Sequence, residues 1–388
     1  MGARQRFVNY LQSTRAARRQ LWLRIHGWVG VVLAIPLSLI ALTGAILVFG
    51  HEIDAVLNPG LLKVPVPGAG AEYRPTTELI VAAKQGARAG DSITTFVFPR
   101  GPGAPALVLF AGRRPGALAD DEFDVYVDPW TGRLLGGRIW SSGWSWREQP
   151  FVSLLYDFHQ SLVIPLRGQA LVGILALAAM LSLATGLLLW LPARSQWRQA
   201  FTIAWPASRR RVIRDVHRAI GFILLPVTFV MLLTGISFNL PRQFTAAAHL
   251  LPHDDLLPPR SIAAMTTPVI DAGRALDAAR EAFPDGRLRM VDFPVDERDA
   301  YHVTQAISAA GLRTTRTILV DQHSGAILGV ADGARSKVGT AITMWALPLH
   351  SGTVAGMAGR LLVLVIGLAV PTLAATGLLQ WLQNRKRA

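Results

Sequence analysis

Cysteine is absent from the sequence. Disulfide bonds, iron–sulfur clusters and thiolate zinc sites are therefore excluded, because each of them needs cysteine sulfur. Covalent attachment of haem through a C-x-x-C-H motif is excluded for the same reason. The motifs G-x-S-x-G, H-E-x-x-H and the phosphate-binding P-loop are also missing, so the corresponding hydrolase and nucleotide-binding classes are not indicated.

Charged residues are scarce. They make up 16% of the chain, whereas an ordinary soluble protein carries about 25%. Hydrophobic residues account for 51%, and the mean hydropathy is +0.35. This composition predicts a protein embedded in a lipid bilayer. The formal charge of +14 is also typical of nucleic-acid-binding proteins, so the positions of the cations must decide between the two.

Four apolar stretches are long enough to cross a hydrocarbon core of about 30 Å. The first is too long for the core of a signal peptide, so we expect a retained helix. Proline lies inside three of the stretches, at Pro36, Pro226 and Pro371, and predicts kinks there. The four predicted spans are 28–49, 169–191, 219–240 and 361–382.

Arginine and lysine concentrate in three short segments: the N-terminus, the connection between spans two and three, and the C-terminus. The positive-inside rule places all three in the cytoplasm of a bacterial inner membrane, with the two long connections in the periplasm. The cations then mark topology, and no nucleic-acid partner is expected. They are Arg4, Arg6, Arg15, Arg18, Arg19, Arg24, Arg194, Arg198, Arg209, Arg210, Arg211, Arg214, Arg385, Lys386 and Arg387.

These features divide the chain into segments. The predicted fold class is a membrane α-helical protein, a four-helix transmembrane bundle with two small periplasmic α+β domains. The segments are the cytoplasmic N-terminus with span one (1–50), the first periplasmic domain (51–150), a histidine-bearing segment with span two (151–192), a basic cytoplasmic loop (193–212), span three (213–240), the second periplasmic domain (241–340), and a second histidine segment with span four and the cytoplasmic tail (341–388).

The two halves of the chain repeat at an offset of 191 residues. His26 matches His217, and His159 matches His350. Both halves start on the same side of the membrane, so the repeats are parallel and related by a pseudo-two-fold axis along the membrane normal. We expect matched histidines to face one another, one pair near each membrane surface. The same offset relates three further pairs: Thr43-Gly44 with Thr234-Gly235, Thr185-Gly186 with Thr376-Gly377, and Trp190 with Trp381.

Two opposed histidines on a helical bundle are the arrangement that an axially ligated haem requires. With both axial positions filled, such a haem transfers electrons and does not bind oxygen. The four histidines His26, His217, His159 and His350 are therefore predicted to bind the iron of two non-covalent haems. Two simpler interpretations remain open: interfacial histidines that cap neighbouring helices, and a zinc site, although zinc prefers four ligands.

Arginines near the histidines are candidates for binding haem propionates, although marking topology explains each of them equally well. Arg24, Arg214 and Arg218 flank the first pair, and Arg167 and Arg360 flank the second.

The position of His159 raises a difficulty, because it precedes span two by about ten residues. A continuous helix would place its ring about 15 Å outside the hydrocarbon. The apolar segment 156–165 must then fold back onto the bundle for His159 to bind a cofactor there. His51, at the outer end of span one, is an alternative ligand.

Several motifs resemble the PepSY-associated transmembrane family: 23–28 (LRIHGW), Thr43-Gly44, 155–159 (LYDFH) and 185–190 (TGLLLW). The outer segments resemble PepSY domains, and the whole chain is most similar to FoxB-like siderophore reductases. The resemblance implies two haem b groups, periplasmic PepSY domains and reduction of a ferric siderophore, with a cytoplasmic reductase or quinol as the electron donor. One electron releases the iron, because ferrous iron is held less tightly by oxygen ligands.

Other functions stay open. PepSY domains are associated with peptidase regulation, which suits a membrane-tethered inhibitor, and the acceptor of electrons is alternatively a periplasmic protein or cupric ion. Aromatic residues of the outer segments are candidates for docking a bulky chelate, or simply for packing the domains on the bundle: Trp130, Trp140, Trp144, Trp146, Phe151, Tyr156 and Trp345.

Overall fold

The computed structural model describes residues 3–117, 120–142, 145–191, 201–205, 207–254 and 269–385, with side chains from residue 17 onward. Long apolar helices form a bundle, and a β-sheet covers one end of it. Helices are α1 (Ala3–Leu47), α2 (Gly50–Leu57), α3 (Pro59–Leu62), α4 (Thr76–Lys84), α5 (Phe151–Ser161), α6 (Gly168–Trp190), α7 (Arg209–Ile223), α8 (Leu225–Asn239), α9 (Pro241–Ala248), α10 (Ala272–Ala282), α11 (Val338–His350) and α12 (Gly356–Arg385).

Three helices have the length and hydropathy to cross a membrane: Ala17–Leu47, Gly168–Trp190 and Thr353–Arg385. A fourth span requires α7 and α8 together, and these two helices meet at an angle of 63°. Predicted span three is therefore broken. Pro226 lies in the first turn of α8, where its missing N–H and its ring prevent a regular helix from continuing out of α7. Pro36 and Pro371, in contrast, lie inside uninterrupted helices.

The basic segments that the structure describes gather at the same end of the bundle, opposite the sheet. We call these the basic end and the sheet end. At the basic end the Arg210 guanidinium donates to the Asn384 side-chain oxygen over 2.5 Å, which ties the start of α7 to α12. Arg385 lies over the Trp381 ring at 4.1 Å. Arg194, Arg198, Lys386 and Arg387 lie outside the described residues.

Both outer segments contribute to one antiparallel sheet in the order β4-β3-β2-β1-β5-β6-β7-β8. The halves join where β1 pairs with β5, with Phe96 opposite Val291. The prediction of two separate α+β domains is therefore corrected, since each predicted domain is half of a continuous sheet. Strands are β1 (Ser92–Val97), β2 (Ala106–Gly112), β3 (Asp121–Val127), β4 (Leu134–Ser141), β5 (Arg287–Asp292), β6 (Ala300–Ala309), β7 (Leu312–Asp321) and β8 (Ile327–Asp332).

The two faces of the sheet differ in their surroundings, because successive side chains of a strand point to opposite faces. One face carries large apolar residues, including Phe96 and Phe110, and packs against Leu79 of α4 and Leu276 of α10. Each such fully buried side chain contributes about 2–3 kcal/mol. The other face turns Asp124 and its neighbours towards the bundle.

A buried ion pair fastens the sheet to the helices. The Arg138 guanidinium of β4 donates to both carboxylate oxygens of Asp54 in α2, at 2.9 and 2.5 Å. Both side chains are largely buried, with exposed fractions of 11% and 6%.

Arg138→Met is expected to destabilise the sheet end by about 3–5 kcal/mol, because it leaves the Asp54 carboxylate buried without its partner. Thermal unfolding of the purified protein measures the loss. Arg280→Met is the matched control, since Arg280 pairs with Asp277 on the surface, and such a pair contributes at most about 1 kcal/mol. Equal effects of the two substitutions would contradict a fastening role for Arg138.

Candidate functional site

The first histidine pair lies near the basic end. His26 of α1 and His217 of α7 face one another, with 6.3 Å between ring centres and 82° between ring planes. The Nδ1 atom of His26 lies 3.0 Å from the carbonyl oxygen of Ser182 and 3.2 Å from the Thr185 hydroxyl. His217 repeats this arrangement on α12, with Nδ1 3.1 Å from the Leu373 carbonyl and 3.0 Å from the Thr376 hydroxyl.

The second pair lies near the sheet end. His159 of α5 and His350 of α11 face one another with ring centres 6.0 Å apart and 61° between ring planes. Nδ1 of His159 lies 2.8 Å from the Ile40 carbonyl and 3.4 Å from the Thr43 hydroxyl. Nδ1 of His350 lies 2.8 Å from the Thr234 hydroxyl. The predicted pairing of all four histidines is thus present in the structure.

The hydrogen bonds determine which ring nitrogen carries the proton. A carbonyl oxygen only accepts, so a histidine Nδ1 beside Ser182, Leu373 or Ile40 must donate its proton. Each threonine hydroxyl donates to a carbonyl of its own helix and therefore accepts from Nδ1 as well. The lone pair of each neutral ring is then on Nε2, which leaves that atom available to bind a metal.

Each histidine ring packs against a Thr-Gly dipeptide that belongs to a different helix. A Cβ atom at Gly44 would come within 2.6 Å of His159 Cε1, and one at Gly186 within 3.1 Å of His26 Cε1. At Gly377 the distance to His217 would be 3.2 Å, and at Gly235 the distance to His350 would be 3.7 Å. Glycine thus lets the rings approach the helix backbones.

These Thr-Gly contacts were missed by sequence reasoning, which used the dipeptides only as markers of duplication. The sequence contains a signal for these contacts, because the separation between histidine and threonine is the same in both halves of the chain. Each contact of the first pair spans 159 residues, from His26 to Thr185 and from His217 to Thr376. Each contact of the second pair spans 116 residues, including that from Thr234 to His350.

A sharp reversal brings His159 to the bundle. Helix α5 ends at Ser161, and Leu162 follows with a left-handed backbone at φ 54°. Val163 and Leu166 also have positive φ before α6 begins. This resolves the difficulty of a ring far outside the hydrocarbon, since the segment folds back and α5 packs on α1.

The two pairs lie at different levels of the bundle. His26 lies in α1, and so does Ile40, whose carbonyl bonds His159. These two residues are fourteen positions apart, which corresponds to about 21 Å along the helix axis. All four histidines line one cavity of about 1930 Å³. This volume is about twice the upper end of the range for a small-molecule pocket, ~1,000 Å³. Apolar side chains from the helices form much of its wall, including Leu33, Ile40, Val172 and Val363.

The predicted arginines divide into two groups. Arg214, Arg218 and Arg360 line the cavity, whereas Arg24 and Arg167 are exposed and lie outside its lining. At the basic end, Arg218 pairs with Asp215 at 3.3 Å. The Arg360 guanidinium at the sheet end pairs with Glu52 at 2.7 Å and donates to the Val48 carbonyl.

Two further arginines at the sheet end were not predicted. Arg100 and Arg289 line the same cavity. Burial lowers the pKa of Arg289, as does repulsion by Arg100 and Arg287. The pKa of Arg100 is also lowered by burial and by Arg360, while Glu52 opposes the shift. The sheet end of the cavity therefore carries several arginines, and the carboxylates Glu52 and Asp54 lie among them.

His51, the alternative ligand, lies on α2 and lines the sheet end of the cavity. It belongs to neither facing pair among the described ring contacts. Burial and the nearby Arg100 lower its pKa. Within the described residues, no cluster of three or more histidine, aspartate or glutamate side chains has a metal-binding arrangement.

The predicted docking aromatics are dispersed. Trp140 and Tyr156 line the cavity, whereas Trp130 packs on Tyr73 with ring centres 4.3 Å apart. Trp345 donates its indole N–H to the Gly333 carbonyl. Trp146 and Phe151 are exposed, and Trp144 lies outside the described residues.

The geometry agrees with a comparison to known families. The sequence profile described as the PepSY-associated TM region matches residues 23–384. The chain belongs to the PepSY-associated transmembrane family. The match includes all four paired histidines and their Thr-Gly partners. The family match and the long apolar helices together identify this PepSY-associated protein as a membrane protein. No curated protein matches it in sequence.

Proposed function

We propose that this PepSY-associated protein holds two haem b groups and transfers electrons across the bacterial inner membrane to a ferric siderophore in the periplasm. The observation that carries this proposal is the pair of facing imidazoles at each end of one apolar cavity. Both termini and the basic end are cytoplasmic in this proposal, and the PepSY-like sheet is periplasmic.

The spacing of the rings suits an iron between them. A bond of about 2 Å from a metal to each Nε2, with about 1 Å more to each ring centre, separates the centres by about 6 Å. The observed separations are 6.3 and 6.0 Å. The cavity wall between the helices is mainly apolar, as a porphyrin requires, and both ends carry arginines that suit propionates.

The residues around each histidine prepare it for axial ligation. Hydrogen bonds from Nδ1 to a carbonyl or threonine hydroxyl hold the ring orientation and raise the basicity of Nε2. A haem held between the paired histidines would supply a reversible one-electron couple. Opposed histidines leave no position for oxygen, which favours electron transfer over oxygen activation.

The direction of transfer follows from the charge asymmetry. Electrons enter at the His26–His217 level from a cytoplasmic reductase or from quinol, and leave at the His159–His350 level. The acceptor site then lies at the sheet end of the cavity. Reduction of a ferric chelate weakens its hold on iron, because ferrous iron is a softer cation than hydroxamate or catecholate oxygens prefer.

Haem content tests the cofactor assignment directly. Purified protein is expected to contain about two haems b per chain, with a Soret band and a reduced-minus-oxidised spectrum typical of six-coordinate haem. Pyridine haemochrome quantitation supplies the stoichiometry. A colourless protein that also fails to bind added haem would overturn the assignment and favour a membrane-tethered peptidase regulator.

The acceptor is tested separately. The reduced protein is expected to be reoxidised by a ferric hydroxamate chelate, with one ferrous ion trapped by a colorimetric chelator for about every haem oxidised. Cupric ion and a periplasmic cytochrome serve as competing acceptors. Faster reoxidation by either of these than by the ferric chelate contradicts siderophore reduction and leaves the haem assignment intact.

A further inference from the structure

Two carboxyl side chains lie on the face of the sheet that closes the cavity. Glu122 and Asp124 of β3 alternate with Phe123 and Val125, which face the core on the other side of the sheet, and so point to the same face. Both line the cavity that also contains His159 and His350. Two other carboxylates of this cavity, Glu52 and Asp54, are paired with arginines.

Asp124 is held without a cationic partner. Its side chain is 3% exposed, and one carboxyl oxygen, Oδ2, accepts the Tyr126 hydroxyl at 2.9 Å. The other oxygen, Oδ1, is buried and has no hydrogen-bond partner among the described residues. Arg138 lies opposite on β4, but both of its terminal nitrogens donate to Asp54, and its Nε has no hydrogen-bond partner among the described residues.

The charged surroundings of Asp124 favour its neutral form. Burial is the largest cause and raises its pKa to about 7; Glu122 and Asp54 act in the same direction, while Tyr126 and Arg138 oppose them. Burial also raises the pKa of Glu122, assisted by Asp157 of α5. Leu109 of β2, which pairs with Asp124 in the sheet, adds no charge.

The other half of the sheet has threonines at the equivalent positions. Matching the hairpin Val127-Asp128 to Val320-Asp321 aligns Asp124 with Thr317 and Glu122 with Thr315. Thr317 faces Ala331 in its strand pair, just as Asp124 faces Arg138. Neither threonine lines the described cavity. The carboxyl pair therefore belongs to the half of the sheet that closes the cavity.

We propose that Asp124, with Glu122, is a proton-donating site that protonates the oxygen atoms of an iron chelate as the chelate is reduced at the sheet end. This inference rests on the proposed function and specifies its acceptor as a chelate with basic oxygen ligands, such as hydroxamates. Asp124 is then the proton-donating group in the wall of the cavity where the chelate is reduced.

The step balances in electrons and protons. The ferric ion gains one electron from the reduced protein and becomes ferrous. Each anionic N–O oxygen of a hydroxamate that leaves the iron exchanges its bond to iron for a bond to a proton, whereas the neutral carbonyl oxygen leaves without one. Asp124 supplies one such proton and becomes a carboxylate, which water then reprotonates by way of Glu122. Solvent supplies the protons for the remaining oxygens.

Infrared spectroscopy tests the proton-holding group without any acceptor. The C=O stretch of a buried neutral carboxylic acid is expected in the wild type at low pH and should disappear with a midpoint near pH 7, because a carboxyl with this raised pKa ionises only above it. Asp124→Asn should lack the band. Asp292→Asn is the matched control, since Asp292 is a half-buried carboxyl of β5 that accepts from Thr95 and lies outside the cavity lining.

Kinetics with two acceptors test proton donation. Asp124→Asn is expected to slow reduction of a ferric trihydroxamate by about 100-fold, the usual contribution of a positioned acid. Ferricyanide takes an electron without a proton, so its reduction should stay unchanged. The pH dependence of the hydroxamate reaction should also lose its break near pH 7. Glu122→Gln should slow reprotonation and so limit repeated turnovers more than the first one.

The possible results of these experiments distinguish the proton-donating role of Asp124 from the proposed function of the protein. Equal slowing of both acceptors, or an infrared band that survives Asp124→Asn, overturns the proton-donating role. Failure of the wild type to reduce the ferric hydroxamate overturns the proposed function and the chelate as substrate. The infrared titration still determines in that case whether Asp124 holds a proton near neutral pH.

Discussion

His159→Ala is expected to remove one haem and retain the other, lowering the content from about two haems per chain to about one. The substitution deletes the proposed axial ligand opposite His350, whereas the His26–His217 pair lies about 21 Å away along α1 and shares none of the described hydrogen bonds with it. The fold should survive, because the Ile40 carbonyl still accepts the Thr43 hydroxyl. Haemochrome quantitation and redox titration measure the loss.

The expected functional loss is as large. Electrons should still enter at the basic end, so the remaining haem should be reducible by dithionite, but reduction of a ferric chelate at the sheet end should be abolished. Added imidazole should restore the second haem in His159→Gly by filling the vacated position. His51→Ala is the control and should retain both haems. Two haems in His159→Ala would contradict the ligand assignment.

Gly44→Ala is expected to weaken binding of the same haem by about 10- to 100-fold, the usual cost of disturbing a ligand's supporting contacts. The added Cβ would lie 2.6 Å from His159 Cε1. The ring must then move away from α1 and lengthen its bond to the Ile40 carbonyl. Transfer of haem to apomyoglobin measures the change in affinity, and a redox titration should show a shift in one midpoint only.

Gly235→Ala supplies the matched control at the same cofactor level. Its Cβ would lie 3.7 Å from His350 Cε1, an ordinary van der Waals contact. Both substitutions replace a helical glycine by alanine and so bring a similar gain of up to about 1 kcal/mol in helix propensity. Haem affinity should therefore remain close to wild type. Equal loss in both variants would show that helix packing, and not the fit of His159, controls haem affinity.

Much of the site was predictable because the duplication is recorded in residue spacing. The shared offset of 191 paired His26 with His217 and His159 with His350, and both pairs face one another in the structure. The Thr-Gly partners were not predicted from that offset. Each contact joins different helices, and only the choice of neighbours within the bundle determines which dipeptide meets which ring.

The sheet was predicted less completely. The sequence predicted an α+β domain in each outer segment, but edge pairing between β1 and β5 leaves no distinct pattern in either strand. The junction therefore appeared only in the structure. The same is true of the carboxyl pair, because Glu122 and Asp124 resemble ordinary solvent-facing residues of a strand until the bundle covers them.

The sequence by itself determined the membrane character of this chain, the approximate spans, the basic end and the identity of the paired histidines, since these follow from composition and from periodic spacing along one dimension. Only the tertiary structure decided the break between α7 and α8, the reversal that returns His159 to α1, and the single sheet over the cavity. Each of these depends on contacts between distant segments, whose packing free energy is not contained in any local stretch of residues.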